Sequence, residues 1–244
     1  MRDRFFVEGV HAAGTRVALA ADDARKVVTV LRKRSGDRVQ VVDSGGTAYA
    51  ATLDVAGRDV YAVLDEPLAR GDPESSLAIT LAQAVPKGAK MDLIVEKTTE
   101  LGVHAIVPVR SARVIGGETS SAKIERWRRI ARSAAQQSGR THIPDVAGLH
   151  DWRALLDTFP RFDRVYIPWE LADPAPLRDV FERETRELRS VLVVIGPEGG
   201  FSAEEVERAR VAGALPISLG RRILRTETAP IAVLAALLYA RGEL

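Results

Sequence analysis

At 244 residues, 46% of them hydrophobic, the chain can bury a proper core and form one large domain or two small ones, and two are expected. Its 35 basic and 33 acidic residues leave a net charge of +2, which excludes a uniformly basic nucleic-acid binder and confines any such surface to local clusters. The absence of cysteine excludes disulfide and thiolate chemistry, and no apolar run reaches the roughly 18 residues that a bilayer span needs, so a cytoplasmic protein is expected.

Residues 1–70 read as short strands. Val39–Val42, Thr47–Leu53 and Val60–Leu64 are separated by Asp43-Ser44-Gly45-Gly46 and Gly57-Arg58-Asp59, which are turn compositions, and together they predict a small β-barrel or sandwich. Ahead of them a helix over Asp22–Leu31 leads into the basic turn Arg32-Lys33-Arg34. From Arg25 to Arg38 six basic residues face one acid, Asp37, which by itself is the signature of a solvated face. Residues 71–76 are polar, with Gly and Pro, and read as a linker; residues 77–244 form the second predicted domain.

After the linker the period changes. Leu77–Ala84 is an apolar strand, Met91, Ile94, Val95, Thr98 and Leu101 share a helix face that Gly102 ends, and Val103–Val109 is the next strand. This βαβ unit predicts a parallel sheet with right-handed crossovers. Between Arg110 and Arg140 eight basic residues stand against Glu118 and Glu125. Within that span a helix starting at Thr119-Ser120-Ser121 puts Ile124, Trp127, Ala131, Ala134 and Ser138 on one face. Trp127 fits a core role better than base stacking, and the arginines suit a phosphate backbone or a solvated face. Trp152–Phe159 reads as a short amphipathic helix, Val165–Trp169 as a strand ending at Glu170, and Arg178–Arg189 as a charged, solvated helix.

The most informative stretch follows. Val191–Ile195 is a β-branched run suited to a strand buried on both faces. It stops at Gly196-Pro197-Glu198-Gly199-Gly200, a turn whose backbone can approach a ligand. Ser202 and Glu205 form a capping box, and Gly213 closes that helix. A second strand, Pro216–Leu219, ends at Gly220 and enters Arg221-Arg222-Ile223-Leu224-Arg225-Thr226-Glu227-Thr228-Ala229. Pro230 then opens an apolar helix, Ile231–Tyr239, which reads as core or as a subunit interface. Either loop alone is explained as a turn or a capped helix start. Two such loops on successive strand ends favour a ligand site at the carboxyl end of the sheet.

Gly196–Gly200 before a capped helix, and Leu219–Ala229 before the apolar helix, resemble the RsmE family of SPOUT-class methyltransferases, which methylate N3 of a uridine in small-subunit ribosomal RNA. Other segments share the likeness: Arg4-Phe5-Phe6, Val30-Leu31-Arg32, Gly36-Asp37, Pro86-Lys87, Lys97–Val103 and Gln136–Arg140. Lys26 and Thr29 depart from the family pattern, which commonly has a His and a basic residue there. The resemblance implies an α/β fold with a trefoil-knotted parallel-sheet SPOUT domain behind a PUA-like, RNA-binding β-barrel domain. It implies a homodimer, and 16S ribosomal RNA or the assembled small subunit as partner. It also implies S-adenosyl-L-methionine held by Glu170, by Ile195 to Gly200, and by Leu219, Gly220, Ile223, Leu224, Arg225, Thr226, Thr228 and Ala229. RNA contacts fall to Arg4, Arg32, Lys33, Arg34, Lys87, Gln137 and Arg140.

A methyl group on a sulfonium is already activated, so an enzyme of this kind must chiefly align the acceptor and manage its proton. Glu227 and Glu198 are the candidate bases and Arg225 the candidate holder of the uracil oxygens as charge develops. Glu227 serves equally well as a helix cap. Methylation at pyrimidine C5 commonly requires a Cys nucleophile, which this chain lacks. The four histidines have no ligand spacing, so no metal is assigned. Neither GxGxxG nor GxxxxGK[ST] occurs, which places dinucleotide oxidoreductases and P-loop enzymes low. A methyltransferase acting on transfer RNA or at a ribose, and an RNA-binding protein without catalysis, remain as alternatives.

Overall fold

The computed structural model describes residues 3–68, 74–112, 119–172, 180–181 and 187–244. The first half of the expected linker, Arg113 and Glu118 of the second basic stretch, and most of the segment 178–189 lie outside the described residues. The chain divides into two compact units, one of Met1–Glu74 with Ala135–His142, the other of Ser75–Ala134 with Ile143–Leu244. Residues 135–142 thus belong with the amino-terminal unit, which the sequence reading did not anticipate.

The first unit is built on one five-stranded sheet in the order β1-β3-β4-β5-β2, from β1 (Arg4–Phe6), β2 (Arg16–Ala18), β3 (Arg38–Val42), β4 (Ala48–Ala56) and β5 (Asp59–Pro67). Among the described residues it is a curled half-barrel sheet, antiparallel except for the pairing of β1 with β3. Its core holds Phe5, Val27, Val41, Leu53, Ala62 and Leu64. The anticipated helix over 22–31 splits into α1 (Ala21–Arg25) and a π-helical turn, Lys26–Val30. The β-branched run Val27-Val28-Thr29-Val30 disfavours α geometry. Thr29 Oγ1 donates to the Arg25 carbonyl at 2.8 Å, and Leu31 N–H bonds five residues back to Lys26 at 2.9 Å. The turn ends with Arg32 at φ 53°, in the left-handed region that non-glycine residues rarely enter.

The second unit carries a seven-stranded, all-parallel sheet in the order β12-β10-β11-β6-β7-β8, with β9 also on β7. Its strands are β6 (Ala78–Ala84), β7 (Ala105–Arg110), β8 (Asp145–Val146), β9 (His150–Asp151), β10 (Arg164–Pro168), β11 (Ser190–Ile195) and β12 (Ala214–Ile217). Successive β11 side chains serve opposite faces. Val191, Val193 and Ile195 pack with α2 (Lys90–Glu100), α3 (Ser121–Ser138) and the last helix, α6 (Ala229–Arg241). Leu192 and Val194 pack with α4 (Trp152–Leu156) and α5 (Ala203–Val211). The capping box is present as expected: Ser202 Oγ accepts from Glu205 N–H at 3.1 Å and Glu205 Oε2 from Ser202 N–H at 2.9 Å.

Several boundaries differ from expectation. β12 begins at Ala214, two residues early, because Gly213 (φ 105°) turns the chain straight from α5 into pairing with β10. Pro216 is tolerated there because β12 is an edge strand. Helix α4 stops at Leu156 and a 3₁₀ turn, Phe159–Arg161, follows, since Pro160 cannot continue an α-helical ladder. On α3, Ser138 is exposed and Ala135 is buried in its place. Helix α6 is buried at Ala229 and Pro230 in its first turn and then along Val233, Leu234, Leu237 and Leu238; Ile231, Ala235 and Ala236 are half-buried and Tyr239 is 73% exposed.

A buried polar knot secures the first unit. Arg4 donates to Gln40 Oε1 at 2.9 Å, to the Gly139 carbonyl and to the Arg140 carbonyl at 2.8 Å. Arg140, 4% exposed, donates to Glu74 at 3.0 Å, and Glu74 Oε1 also accepts from Thr141 and His142 N–H at 2.8 and 3.0 Å. Glu74, expected in a solvated linker, is therefore an anchor. Burial acts to raise its pKa, but the Arg140 hydrogen bond and charge and the two backbone donors outweigh it and hold it below the usual carboxylate value. With the folded pKa lowered, its stabilisation is present above the unfolded pKa and is lost as pH falls through the folded value. Glu74→Ala leaves Arg140 buried without its carboxylate and is expected to cost about 3 kcal/mol at neutral pH, with a smaller difference from the parent at acid pH. Urea unfolding at the two pH values checks both.

Candidate active site

The carboxyl ends of β10 and β11 and the loop after β12 open into one cleft of about 1090 Å³. Its walls are Pro168 to Glu170, the Ile195–Phe201 loop, Ser218 to Thr226, Ala229, and Lys90 from the first turn of α2. The juxtaposition follows from strand order. β10 lies between β12 and β11, so the loop leaving β12 must cross the end of β10 to reach the glycine loop.

Thr226 makes that crossing firm. Its hydroxyl donates to the Gly196 carbonyl at 2.7 Å and accepts from Gln83 Nε2 at 3.0 Å. Gln83, at 0% exposure near the end of β6, also donates to the Ala84 carbonyl. Three strand ends are thereby joined. The loop then turns back, with Thr228 and Ala229 N–H both donating to the Arg225 carbonyl at 2.8 and 2.9 Å, and α6 begins.

The glycine loop closes with Gly200 N–H donating to Pro197 at 2.9 Å. Gly200 has φ 63°, and a Cβ there would lie 3.3 Å from Glu170 Oε1; a Cβ on Gly196 would meet the Phe201 ring at 3.2 Å. A side chain would be crowded at both positions, and at Gly200 the positive φ disfavours one as well. The Glu170 carboxylate overlies the loop.

Lys90 organises the charge. Its Nζ lies 2.9 Å from Glu198 Oε1 and 3.7 Å from Glu227 Oε2, and Glu198 Oε1 also accepts from Lys87 N–H at 3.0 Å. Burial tends to raise the Glu198 pKa. The Lys90 hydrogen bond, backbone N–H donors of Glu198 and Lys87, and the Lys90 charge prevail and hold it below the ordinary value. Lys90 is raised in turn, chiefly by its hydrogen bond to Glu198. Among the described residues Glu227, with 15% of its side chain exposed, has only longer charge contacts, to Lys90 and to Arg225 Nη1 at 3.9 Å, and its buried Oε2 accepts no hydrogen bond. Arg225 lines the cleft and is 82% exposed along its side chain.

Of the predicted cofactor residues, Glu170, Ile195–Gly200, Leu219, Gly220, Ile223, Leu224, Arg225, Thr226 and Ala229 line the cleft. Thr228 does not, being the N-cap of α6. Glu227 stands behind Lys90 rather than in the wall. Of the predicted RNA residues, Arg32, Arg34, Lys87 and Gln137 are exposed, and Lys33 pairs with Asp3 at 3.0 Å. Arg4 and Arg140 are buried in the first unit, where their guanidinium groups bond Gln40, backbone carbonyls and Glu74. Lys90 and Gln83 are site residues beyond those expected from the sequence, although both carry local signals. A cation in the first turn of a helix opposes the macrodipole, and a glutamine interrupts an otherwise apolar buried strand.

Lys90→Met removes the leading opposition to burial at Glu198, so the Glu198 pKa is expected to rise and its carboxylate to protonate at higher pH than in the parent. NMR titration of the side-chain carboxyl checks this; an unmoved titration would show that the backbone donors suffice.

Residues 73–238 match the RNA methyltransferase domain family. The chain is 32% identical to ribosomal RNA small subunit methyltransferase E of Bacillus subtilis over 97% of this chain and 96% of that protein. It is 31% identical to the protein of the same name from Synechocystis, over 90% and 71%. The crystal structure of ribosomal RNA small subunit methyltransferase E from Neisseria gonorrhoeae bound to S-adenosyl methionine superposes with a TM-score of 0.89 at 33% identity, covering 98% of each chain.

Proposed function

The chain belongs to the RNA methyltransferase family, among the ribosomal RNA small subunit methyltransferases E, and on that premise we propose that it transfers a methyl group from S-adenosyl-L-methionine to N3 of a uridine in 16S ribosomal RNA. The observation that carries the reading is the joining, through Thr226, of the glycine loop and the Leu219–Ala229 loop in one cleft. The cleft fits the cofactor: its volume suits a nucleoside-sized ligand, its backbone is kept bare by Gly196 and Gly200, and Glu170 supplies negative charge toward a cation.

When bound, the cofactor supplies a methyl already activated by a sulfonium. The protein's residues do the rest. Arg225 holds the uracil oxygens as negative charge develops on the ring. Glu198, kept ionised by Lys90, and Glu227, whose buried Oε2 accepts no hydrogen bond, are the two carboxylates offered to the N3 proton, and Glu227 is the one assigned to it. Arg32, Arg34 and Gln137 in the first unit and Lys87 in the second engage the RNA.

The finer architectural assignments belong to the same proposal. The first unit acts as a PUA-like RNA-binding domain. The second is a trefoil-knotted SPOUT domain, supported by the passage of the chain from edge strand β12 across β10 and β11 to Gln83 of β6. The working enzyme is a cytoplasmic homodimer, supported by the half-covered outer face of α6, with Ile231, Ala235 and exposed Tyr239. Among the described residues no helix is long and apolar enough to cross a membrane.

Incubation with methyl-labelled S-adenosylmethionine and, separately, small subunits, protein-free ribosomal RNA and transfer RNA is expected to yield labelled N3-methyluridine from ribosomal RNA. Label only in transfer RNA or on a ribose would sink the substrate. Glu227→Gln is expected to lower the single-turnover rate about 100-fold while the thermal shift produced by S-adenosylmethionine stays as in the parent; an unchanged rate removes Glu227 from the mechanism.

A further inference from the structure

A second cavity, of about 360 Å³, lies beside the cleft at the carboxyl ends of β6 and β7. Its floor is apolar, formed by Val85, Val109, Trp127 and Leu149, and its rim carries the cations Lys87, Arg110, Lys123 and Arg126. Among the described residues Asp92 is the one acid on the rim, and it is already taken: Arg126 donates to its Oδ2 through Nε at 3.0 Å and Nη2 at 2.7 Å. Lys87, Arg110 and Lys123 have no ion pair and no side-chain hydrogen bond among the described residues. Three exposed cations lining one hollow make the local potential positive and favour an anion there.

The position identifies the anion. One turn, Pro86 to Ala89, separates the cavity from the cleft, and Lys87 belongs to both sides: its side chain rims the cavity while its backbone N–H holds Glu198 of the glycine loop. We infer that this cavity is the seat of a backbone phosphate and ribose of the RNA strand next to the target nucleotide. The unpaired cations take the phosphate and the apolar floor takes the sugar. Anchored there, the strand has its neighbouring base delivered to the cleft, and register is set by geometry at the phosphate rather than by reading bases. This inference rests on the methyltransferase reading and adds to it the place where the strand is gripped.

The test uses the full-length protein and protein-free small-subunit ribosomal RNA, with dissociation constants measured across a salt series. The double variant Arg110→Ala, Lys123→Ala is expected to bind RNA about tenfold more weakly and to lower the magnitude of the salt slope by about 1.4, while the thermal shift with S-adenosylmethionine matches the parent. Asp92→Asn, which releases Arg126, is expected to tighten RNA binding and steepen the slope. Unchanged RNA affinity and slope in the double variant, with the cofactor shift intact and the parent transferring methyl, would overturn the cavity and leave the methyltransferase reading standing. Failure of the parent to transfer methyl to any RNA would overturn both.

Discussion

The Thr226 hydroxyl sits where three strand ends must agree. It donates to the Gly196 carbonyl beyond β11 and accepts from Gln83 near the end of β6, and its own loop comes from edge strand β12. Thr226 and Gln83 are buried, so a lost bond would leave polar groups without water to replace it, at a cost of about 1–3 kcal/mol each. That penalty pins a long excursion, Ser218 to Thr228, whose exposed members Arg221, Arg222, Ile223 and Arg225 have little else to hold them. The cleft has two fixed walls for this reason.

Charge within the cleft follows from the same placement. Because Lys90 opens α2 directly behind β6, it meets Glu198 from the β11 loop and Glu227 from the β12 loop at once. One ammonium serves two carboxylates unequally. Glu198 receives it at hydrogen-bond distance together with backbone donors, and Glu227 receives only its field. The two acids are thus set apart by environment, the usual way in which a pair of like groups acquires different tasks.

In the first unit the corresponding device is the Arg4, Arg140 and Glu74 group. It ties the first strand, the segment after α3 and the end of the amino-terminal stretch into one buried polar knot. A charge buried this deeply is tolerated only because each partner is satisfied several times over. Residues 135–142 join this unit through these bonds and through Gln136, which donates to Asp23 at 2.9 Å.

Much of this was legible in the amino-acid order alone. Periodicity and turn chemistry foretold β3, β4 and β5 of the first unit, β6, β7, β10, β11 and β12 of the second, and the capping box at Ser202 and Glu205, because these depend on residues within a few positions of one another; the short strands β1, β2, β8 and β9 carry no such local signal. The resemblance of Gly196–Gly200 and Leu219–Ala229 pointed to the family. Pairings across the chain were decided only by the tertiary structure. Nothing local distinguishes Arg140, a buried strut, from Arg34, an exposed cation, since the difference is made by Glu74, 66 residues away. Lys90 likewise stands out locally only as a cation in a first helical turn; its partner Glu198 is 108 residues away and reaches it through strand order. Local sequence determines which elements form and where the backbone can turn; burial and charge at a given side chain depend on partners that only the folded chain brings near.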